Sequence, residues 1–222
     1  MAKPHVIECV PFAMSRRLPH TNGDQNRYFG AHDRMVRLLS LLAETPIIPA
    51  VCSPDCLEAA TSSPGKIVYL LCGDLDNICQ MIDMTIAHGK TPVLNLDLMS
   101  GIGRDHAAVR YLAHHGVQGI ISTHAEPLRE AQKLGLFSIQ RSFMIDYGAV
   151  NTLLKSLNQF VPDALEILPA MTAPKLLPRL RSGHASLPVI AGGLVDSLRE
   201  AEYCFEKGVN AVSITDERLW VV

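Results

Sequence analysis

The sequence predicts an α/β protein that folds as a TIM-type (β/α)8 barrel, and three observations support this prediction. Eight short apolar runs alternate with longer segments of helical periodicity from Pro46 onward. Successive runs begin 18 to 27 residues apart, which is about the length of one βα unit. A pair of glycines follows the seventh run, where barrels of this type commonly bind phosphate. The predicted strands cover residues 47–51, 67–72, 92–97, 119–122, 137–141, 164–168, 189–192 and 211–215.

The segments between the runs carry helix signals. Val150, Leu153 and Leu157 fall on one face at helical spacing. Ser197 followed by Glu200 forms a capping-box pattern where the helix after the seventh strand begins. An open doubly wound sheet uses the same alternation, but its phosphate-binding glycines would follow the first strand. Residues 50–54 contain no glycine, so we prefer the closed barrel.

We divide the chain into an amino-terminal extension, residues 1–45, and a single barrel domain, residues 46–222. The chain ends six residues after Asp216, so the last barrel helix must be truncated. The extension contains one amphipathic helix at about 33–43. This helix, or a partner subunit, is expected to cover the side that lacks the eighth helix, and we expect a homodimer. The apolar face of the helix consists of Met35, Leu38, Leu39 and Leu42.

Composition and charge exclude several functional classes. The chain has 222 residues, 48 % hydrophobic and 19 % charged, which is typical of a globular protein with a large core. The formal net charge of -2 argues against a generally cationic nucleic-acid binder, so RNA binding would have to be local. No apolar stretch approaches the roughly 20 residues that span a bilayer, and the amino terminus lacks a signal-peptide core. We therefore expect a cytoplasmic protein that does not bind membranes.

The six cysteines indicate neither a disulfide framework nor a metal centre. Their spacings do not match the usual paired zinc ligands. Thiols in cytosolic proteins usually stay reduced, and cysteine is often a small buried hydrophobe. We predict no metal site and no disulfide.

Two strand ends near the carboxyl terminus predict a phosphate-binding site. Gly192 ends the seventh strand and Gly193 follows it, and the two glycines allow a phosphate to approach the backbone closely. Ser213 and Thr215 share one face of the eighth strand. Asp216 follows directly, and its carboxylate would repel a phosphate unless it points away or binds a cation. The ligand predicted from these residues is a small phosphorylated molecule.

The alternation of side chains along the strands predicts further polar residues at the carboxyl end of the barrel. Asp97 is expected to share a face of the third strand with Asn95, and Gln140, Arg141 and Glu166 complete the predicted ligand-contacting set. Buried carboxylates need partners, so Asp97 and Glu166 should meet cations, hydrogen-bond donors or the ligand. The competing interpretation is a structural polar layer in which Arg141 neutralises a carboxylate.

A modest basic cluster follows the sixth strand. Lys175, Arg179 and Arg181 are its members, and they are the candidate RNA-binding residues. A solvated helix face would have the same composition. Aromatic residues are few and are not interleaved with these cations, so no stacking surface for RNA is predicted.

Several short motifs occur in a specific order along the barrel. They are Asn95-Leu-Asp-Leu98, Gly101-Ile102, Gly119-Ile-Ile-Ser-Thr123, Ile139-Gln-Arg141, Glu166-Ile-Leu-Pro169, Ala191-Gly-Gly193 and Leu219-Trp220. The series resembles the glycerol-3-phosphate-responsive antiterminator family over residues 46–220. The resemblance implies a barrel that is not an enzyme, has no catalytic residues or cofactor, and takes glycerol 3-phosphate as effector ligand. It also implies binding to a leader messenger RNA and transcription antitermination of glycerol-utilisation genes.

Two other functions are compatible with the residues. A phosphosugar isomerase, epimerase or lyase would use Asp97 or Glu166 as general base and Arg141 to stabilise developing negative charge. The sequence has no strand-end lysine suited to Schiff-base chemistry, which disfavours this alternative. A ligand-binding module without RNA recognition would act through a protein partner instead.

Overall fold

The computed structural model describes residues 30–221, in which eight parallel strands form one closed barrel. Neighbouring strands follow chain order, and the last strand pairs with the first. The predicted fold class is confirmed, whereas residues 1–29 of the predicted extension lie outside the described residues. The strands are β1 Ile47–Val51, β2 Ile67–Leu70, β3 Thr91–Asn95, β4 Gly119–Ser122, β5 Phe137–Phe143, β6 Ala164–Leu168, β7 Val189–Gly192 and β8 Ala211–Ile214.

Helices α2 to α8 follow strands β1 to β7 in turn and form the outer layer, while α1 precedes β1. Between residues 215 and 221 the segment after β8 contains a short 3-10 turn, Glu217–Leu219, and no α-helix. None of the helices within residues 30–221 has both the length and the apolar character needed to cross a bilayer. The helices are α1 Ala31–Glu44, α2 Leu57–Ser62, α3 Ile78–Ala87, α4 His106–His114, α5 Ala125–Lys133, α6 Tyr147–Leu157, α7 Ala173–Arg181 and α8 Leu198–Glu206.

The strand boundaries differ from the predicted ones by at most two residues. β3 ends at Asn95 because the chain enters a 3-10 turn at Leu96–Leu98. The prediction that Asn95 and Asp97 share a strand face is therefore wrong. β5 is longer than predicted because its end continues to pair with β6, where Phe143 lies opposite Leu168.

Two apolar clusters lie on the two sides of the sheet, because side chains alternate along each strand. The inner cluster fills the barrel and includes Ile48, Tyr69, Ile121, Ile139 and Ile190. The outer cluster lies between the strands and the helices, and it includes the predicted apolar face of α6. The capping box that was predicted for α8 is also present.

Helix α1 closes the amino-terminal end of the barrel, which corrects the expectation that it covers the side without an eighth helix. Leu38 and Leu42 are buried in the inner cluster. Ile48, Phe137 and Ala211 in the same cluster are among the first residues of their strands. Because the amino ends of parallel strands meet at one end of a barrel, the apolar face of α1 lies across that end.

A buried ion pair holds α1 in this position. Nε of Arg34 lies 3.2 Å from Oδ2 of Asp163, and both side chains are largely buried. The same oxygen accepts hydrogen bonds from the N–H and the hydroxyl of Ser138, each at 2.9 Å. The pair therefore ties α1 to the start of β5 and to the residue before β6.

The carboxyl-terminal turn covers part of the side that lacks an eighth helix. Trp220 is buried in the outer cluster. Its indole N–H donates to the carbonyl of Ile214, the last residue of β8, at 2.7 Å. Because a tryptophan carries a large apolar area, one side chain shields strand surface that a helix would otherwise bury.

Candidate functional site

The inner face of the barrel becomes polar toward the carboxyl ends of β5, β6 and β8. Arg141 and Glu166 lie directly opposite each other in the strand register. Nε of Arg141 donates to Oε2 of Glu166 at 2.6 Å, and Ser213 donates its hydroxyl to Oε1 at 2.8 Å. Glu166 is fully buried and Arg141 is 9 % exposed. The carboxylate thus has both a cation and a hydroxyl donor, which compensates its burial.

Arg141 keeps unused hydrogen-bonding capacity. A guanidinium has five N–H donors, and only the one on Nε is used by Glu166. Within residues 30–221 the two terminal nitrogens of Arg141 have no hydrogen-bond partner. Glu166 therefore orients a guanidinium whose remaining donors are available to an anion or another acceptor.

The turn after β7 lies against this pair. A Cβ atom on Gly192 would clash with the hydroxyl oxygen of Ser213 and lie 3.1 Å from Oε1 of Glu166, so any other residue here would force Ser213 to move. Gly193 has a φ of +75° and Leu194 a φ of +56°, a conformation that leucine rarely adopts. In the described part of the chain, the N–H groups of Leu194 and Val195 donate to no protein acceptor. The turn therefore offers backbone donors beside the polar cluster.

The segment after β8 provides one more backbone donor and contains a neutralised carboxylate. Thr215 is exposed, and its N–H has no protein acceptor within the described chain. Asp216 accepts from Nε of Arg218 at 2.9 Å and from Nη2 at 2.6 Å. These side-chain hydrogen bonds lower the pKa of Asp216. Because its charge is paired with that of Arg218, Asp216 does not prevent a phosphate from binding nearby.

The sequence of the barrel matches the model of one known protein family. The model described as glycerol-3-phosphate responsive antiterminator matches residues 47–220. This range contains all eight strands and the carboxyl-terminal turn. The chain belongs to this antiterminator family. The resemblance in the ordered motifs is thereby confirmed.

Three relatives are similar to this family member. YgcP of Escherichia coli (strain K12), an uncharacterized protein, is 32 % identical over 186 residues, which cover 83 % of this chain and 96 % of that protein. The glycerol uptake operon antiterminator regulatory protein of Listeria monocytogenes has a crystal structure with a TM-score of 0.74; it is 28 % identical, with 79 % and 95 % of the two chains covered. A glycerol uptake operon antiterminator-related protein of Thermotoga maritima has a TM-score of 0.70 at 27 % identity, with 78 % and 96 % covered.

In this antiterminator family member, Asp97 lies at the rim of the barrel. Its carboxylate accepts from the Ser122 hydroxyl at 2.7 Å and from the N–H and hydroxyl of Thr123 at 2.6 and 2.8 Å. Burial raises the pKa of Asp97, but these hydrogen bonds outweigh burial and hold the pKa below its ordinary value. Asn95 accepts the N–H of Asp97 at 3.0 Å. Asp97 thus ties the loop after β3 to the end of β4.

Gln140 lies on the opposite face of β5 from Arg141. It is in register with Ser122 of β4 and Leu165 of β6, and Leu165 belongs to the outer cluster. Strand alternation therefore directs Gln140 toward the helix layer and away from Glu166. The structure does not bring Gln140 together with the polar residues of the barrel interior.

Tyr69 of β2 is a candidate site residue that sequence reasoning missed. It is fully buried in the inner cluster, and its hydroxyl has no hydrogen-bond partner within residues 30–221. Burial raises the pKa of Tyr69, the charge of Glu166 raises it further, and Arg141 lowers it. The tyrosine therefore lies within electrostatic reach of the ion pair, with an unused hydroxyl. Its only sequence signal was its position on the interior side of β2, which is equally typical of a core residue.

The structure separates the predicted basic cluster into two parts. Lys175 and Arg179 are exposed one turn apart on α7, and both line a cavity of about 260 Å³. Arg181 instead donates from Nη1 to the carbonyls of Ala185 and Leu187, at 2.8 and 2.6 Å. Arg181 therefore anchors the loop before β7.

A cavity of about 370 Å³ lies at the opposite end of the barrel, beside α1. Asp163 lines this cavity, and its carboxylate already accepts hydrogen bonds from Arg34 and Ser138. A carboxylate repels phosphate. The free donors of Arg141 and of the turn after β7 make the carboxyl end the better place for an anionic ligand.

Proposed function

We propose that this chain is a cytoplasmic regulator that binds glycerol 3-phosphate at the carboxyl end of the barrel. In the ligand-bound form it binds a leader messenger RNA and promotes transcription antitermination of glycerol-utilisation genes. The family description supports the effector and the regulatory role. The main support for the location of the site comes from Arg141. Glu166 orients its guanidinium, and the terminal nitrogens have no hydrogen-bond partner within residues 30–221.

The phosphate group is proposed to bind at the turn after β7 and at the end of β8. The N–H groups of Leu194, Val195 and Thr215 are donors without a protein acceptor in the described chain. Gly192 and Gly193 keep side chains away from this stretch of backbone. Backbone amides in the loops after strands seven and eight are common phosphate ligands in this fold.

The glycerol hydroxyls are proposed to contact Arg141 and Ser213. Glu166 is fully buried, and its carboxylate accepts hydrogen bonds from both of these side chains. Glu166 therefore holds the two side chains in place for the ligand. Asp97 supports the rim by holding the end of β4, and Gln140 has no role in this site.

Glycerol 3-phosphate acts as a switch only through its different affinities for two states of the protein. We propose that it favours an RNA-competent homodimer. Light scattering with and without the ligand measures the oligomeric state. A chain that stays monomeric under both conditions would exclude the dimer but leave ligand binding intact.

Two observations favour a regulator over a phosphosugar enzyme at this site. Asp97 is held ionised by three hydrogen-bond donors, and Glu166 is engaged by Arg141 and Ser213. A general base must be free to accept a proton from its substrate. Turnover of a triose or pentose phosphate that is lost in the variant Asp97→Asn would instead support the enzyme.

Calorimetric titration with glycerol 3-phosphate, glycerol and inorganic phosphate tests the ligand site. Arg141→Lys keeps the charge but loses the planar fork, and should weaken glycerol 3-phosphate binding roughly 10- to 150-fold, as expected for about 1.5–3 kcal/mol of hydrogen bonding to a charged group. Arg129→Lys is the matched control, because Arg129 is exposed on α5 and donates to the Gln159 carbonyl. Equal affinities in Arg141→Lys and the unmodified chain would refute the site.

Selection from a randomised RNA pool with the ligand-bound chain tests the RNA partner. Enriched RNA should bind more tightly with glycerol 3-phosphate present, and its affinity should fall steeply as salt increases. If glycerol 3-phosphate binds but no RNA is enriched, the RNA-binding part of the proposal fails. A ligand-binding module that acts through a protein partner would then be the better explanation.

A further inference from the structure

The rim of the barrel beside β5 combines exposed apolar and basic side chains. The end of β5, the loop after it and the start of α6 present Phe143, Ile145 and Tyr147, which are 51 %, 87 % and 70 % exposed. Lys175 and Arg179 of α7 line the cavity of about 260 Å³ that Ile145 and Tyr147 also line. These five residues are named the β5–α6 surface. Large apolar side chains that are exposed together commonly mark an interaction site.

The β5–α6 surface contains an aromatic ring held beside two cations. The guanidinium carbon of Arg179 lies 4.5 Å from the centroid of the Tyr147 ring. This cation–π contact orients the ring, which stays largely exposed. Lys175 lies one turn before Arg179 on the same helix face. Asp146 also lines the cavity, but its carboxylate caps α6 by accepting the Ala149 N–H at 2.8 Å.

Charge complementarity favours a nucleic acid over a second copy of the chain as the partner of this surface. Exposed aromatic rings stack with unpaired bases, and lysine and arginine bind the phosphates beside them. A two-fold symmetric dimer interface places the same patch of both copies face to face. Such an interface would gather the Lys175 and Arg179 side chains of both copies into one patch, whereas RNA phosphates neutralise these cations.

The β5–α6 surface is connected to the ligand site through one strand. Arg141 lies on β5 two residues before Phe143, and Tyr147 is the first residue of α6. The N–H of Met144 continues the pairing with β6 by donating to the Leu168 carbonyl at 2.7 Å. Arg141 and the segment before Tyr147 therefore belong to one continuous stretch that is hydrogen-bonded to β6.

We propose that the β5–α6 surface is where leader RNA binds, with an unpaired base stacked on Tyr147 and adjacent phosphates bound by Lys175 and Arg179. This inference rests on the proposed RNA-binding function. The recognised RNA is a single-stranded or looped segment, because a base inside a duplex does not expose its face. Arg181 is not part of the surface, because loop carbonyls already use its donors.

Fluorescence anisotropy with labelled RNA from the enriched pool, in the presence of glycerol 3-phosphate, tests this inference. Tyr147→Ala should weaken RNA binding roughly 5- to 150-fold, equivalent to about 1–3 kcal/mol of base stacking. Tyr147→Phe keeps the ring and should bind like the unmodified chain. Replacing Lys175 and Arg179 together by alanine should reduce the slope of log affinity against log salt by about 1.4, because each single-strand phosphate contact contributes about 0.7.

A matched control is available at the end of α8, where Nζ of Lys207, the residue after the helix, lies 5.5 Å from the centroid of the Tyr203 ring. Tyr203→Ala and Lys207→Ala should leave RNA affinity unchanged. Calorimetry of every variant with glycerol 3-phosphate confirms that the barrel is folded, because the ligand site is separate from both pairs.

Three outcomes would overturn the inference, and they are distinguishable. Unchanged RNA affinity in Tyr147→Ala shows that RNA binds elsewhere, so the surface is wrong while RNA binding stands. Conversion of a dimer to a monomer by the same variant, measured by light scattering, assigns the surface to a second copy of the chain. Failure of any RNA to be enriched overturns the RNA-binding function itself, and the surface assignment with it.

Discussion

Replacing Gly192 by alanine tests how tightly the turn after β7 packs on the polar cluster. The added Cβ would clash with the hydroxyl oxygen of Ser213 and lie 3.1 Å from Oε1 of Glu166. Glu166 is fully buried and cannot retreat into solvent. Ser213 must therefore rotate away, which breaks its 2.8 Å hydrogen bond to the carboxylate.

The free energy of unfolding is expected to fall for two reasons whose contributions overlap. Overpacking a well-filled site costs about 1–3 kcal/mol. Losing a hydrogen bond to a charged group costs about 1.5–3 kcal/mol. Rotation of Ser213 relieves part of the first effect, so Gly192→Ala should lower the free energy of unfolding by about 2–4 kcal/mol. It should also weaken glycerol 3-phosphate binding, because the Ser213 hydroxyl leaves its place.

Urea unfolding of three variants measures this cost. Gly183→Ala is the control, because a Cβ at Gly183 has no neighbour within 4 Å, and we expect it to change stability by no more than about 1 kcal/mol. Ser213→Ala removes the clashing atom, so Gly192→Ala should cost at least about 1 kcal/mol less in that background. If Gly192→Ala is as stable as Gly183→Ala, the close packing of the turn on the ion pair is wrong.

Three further variants test other parts of the structure. Tyr69→Phe removes a buried hydroxyl without a partner in residues 30–221, so in urea unfolding the variant should be equally stable or more stable by up to about 1–3 kcal/mol. Calorimetry should show that it binds glycerol 3-phosphate more weakly. A loss of stability would contradict this assignment. Hydrogen bonds to Glu130 and Glu126 raise the pKa of His106 above 6.5. The stabilisation lost in His106→Asn should therefore be largest below pH 6.5 and should disappear as the pH rises through the raised pKa. A difference in melting temperature that stays constant across pH would argue against this ion pair. Arg34→Ala leaves Asp163 buried without its cation and should cost about 3–5 kcal/mol in thermal or urea unfolding, whereas a cost near zero would show that α1 is not held by this pair.

Local patterns in the sequence were sufficient for the strands and for the turn after β7. A strand buried on both faces is a short apolar run, as at Ile47–Val51 and Val189–Gly192, and such runs are visible without any knowledge of their partners. The glycine pair was visible in the same way.

Closure of the barrel decided which of these elements meet. Ser213 and Glu166 are 47 positions apart and share a hydrogen bond because β6, β7 and β8 are neighbours in the closed sheet. The apolar face of α1 was visible in the sequence, but its contact with the amino-terminal end of the barrel was not. The sequence likewise did not show that Tyr69 lies near the charges of Arg141 and Glu166, or that Arg179 lies over the Tyr147 ring. A periodic pattern records which face of an element avoids water, whereas strand tilt and stagger determine which distant side chain lies opposite that face.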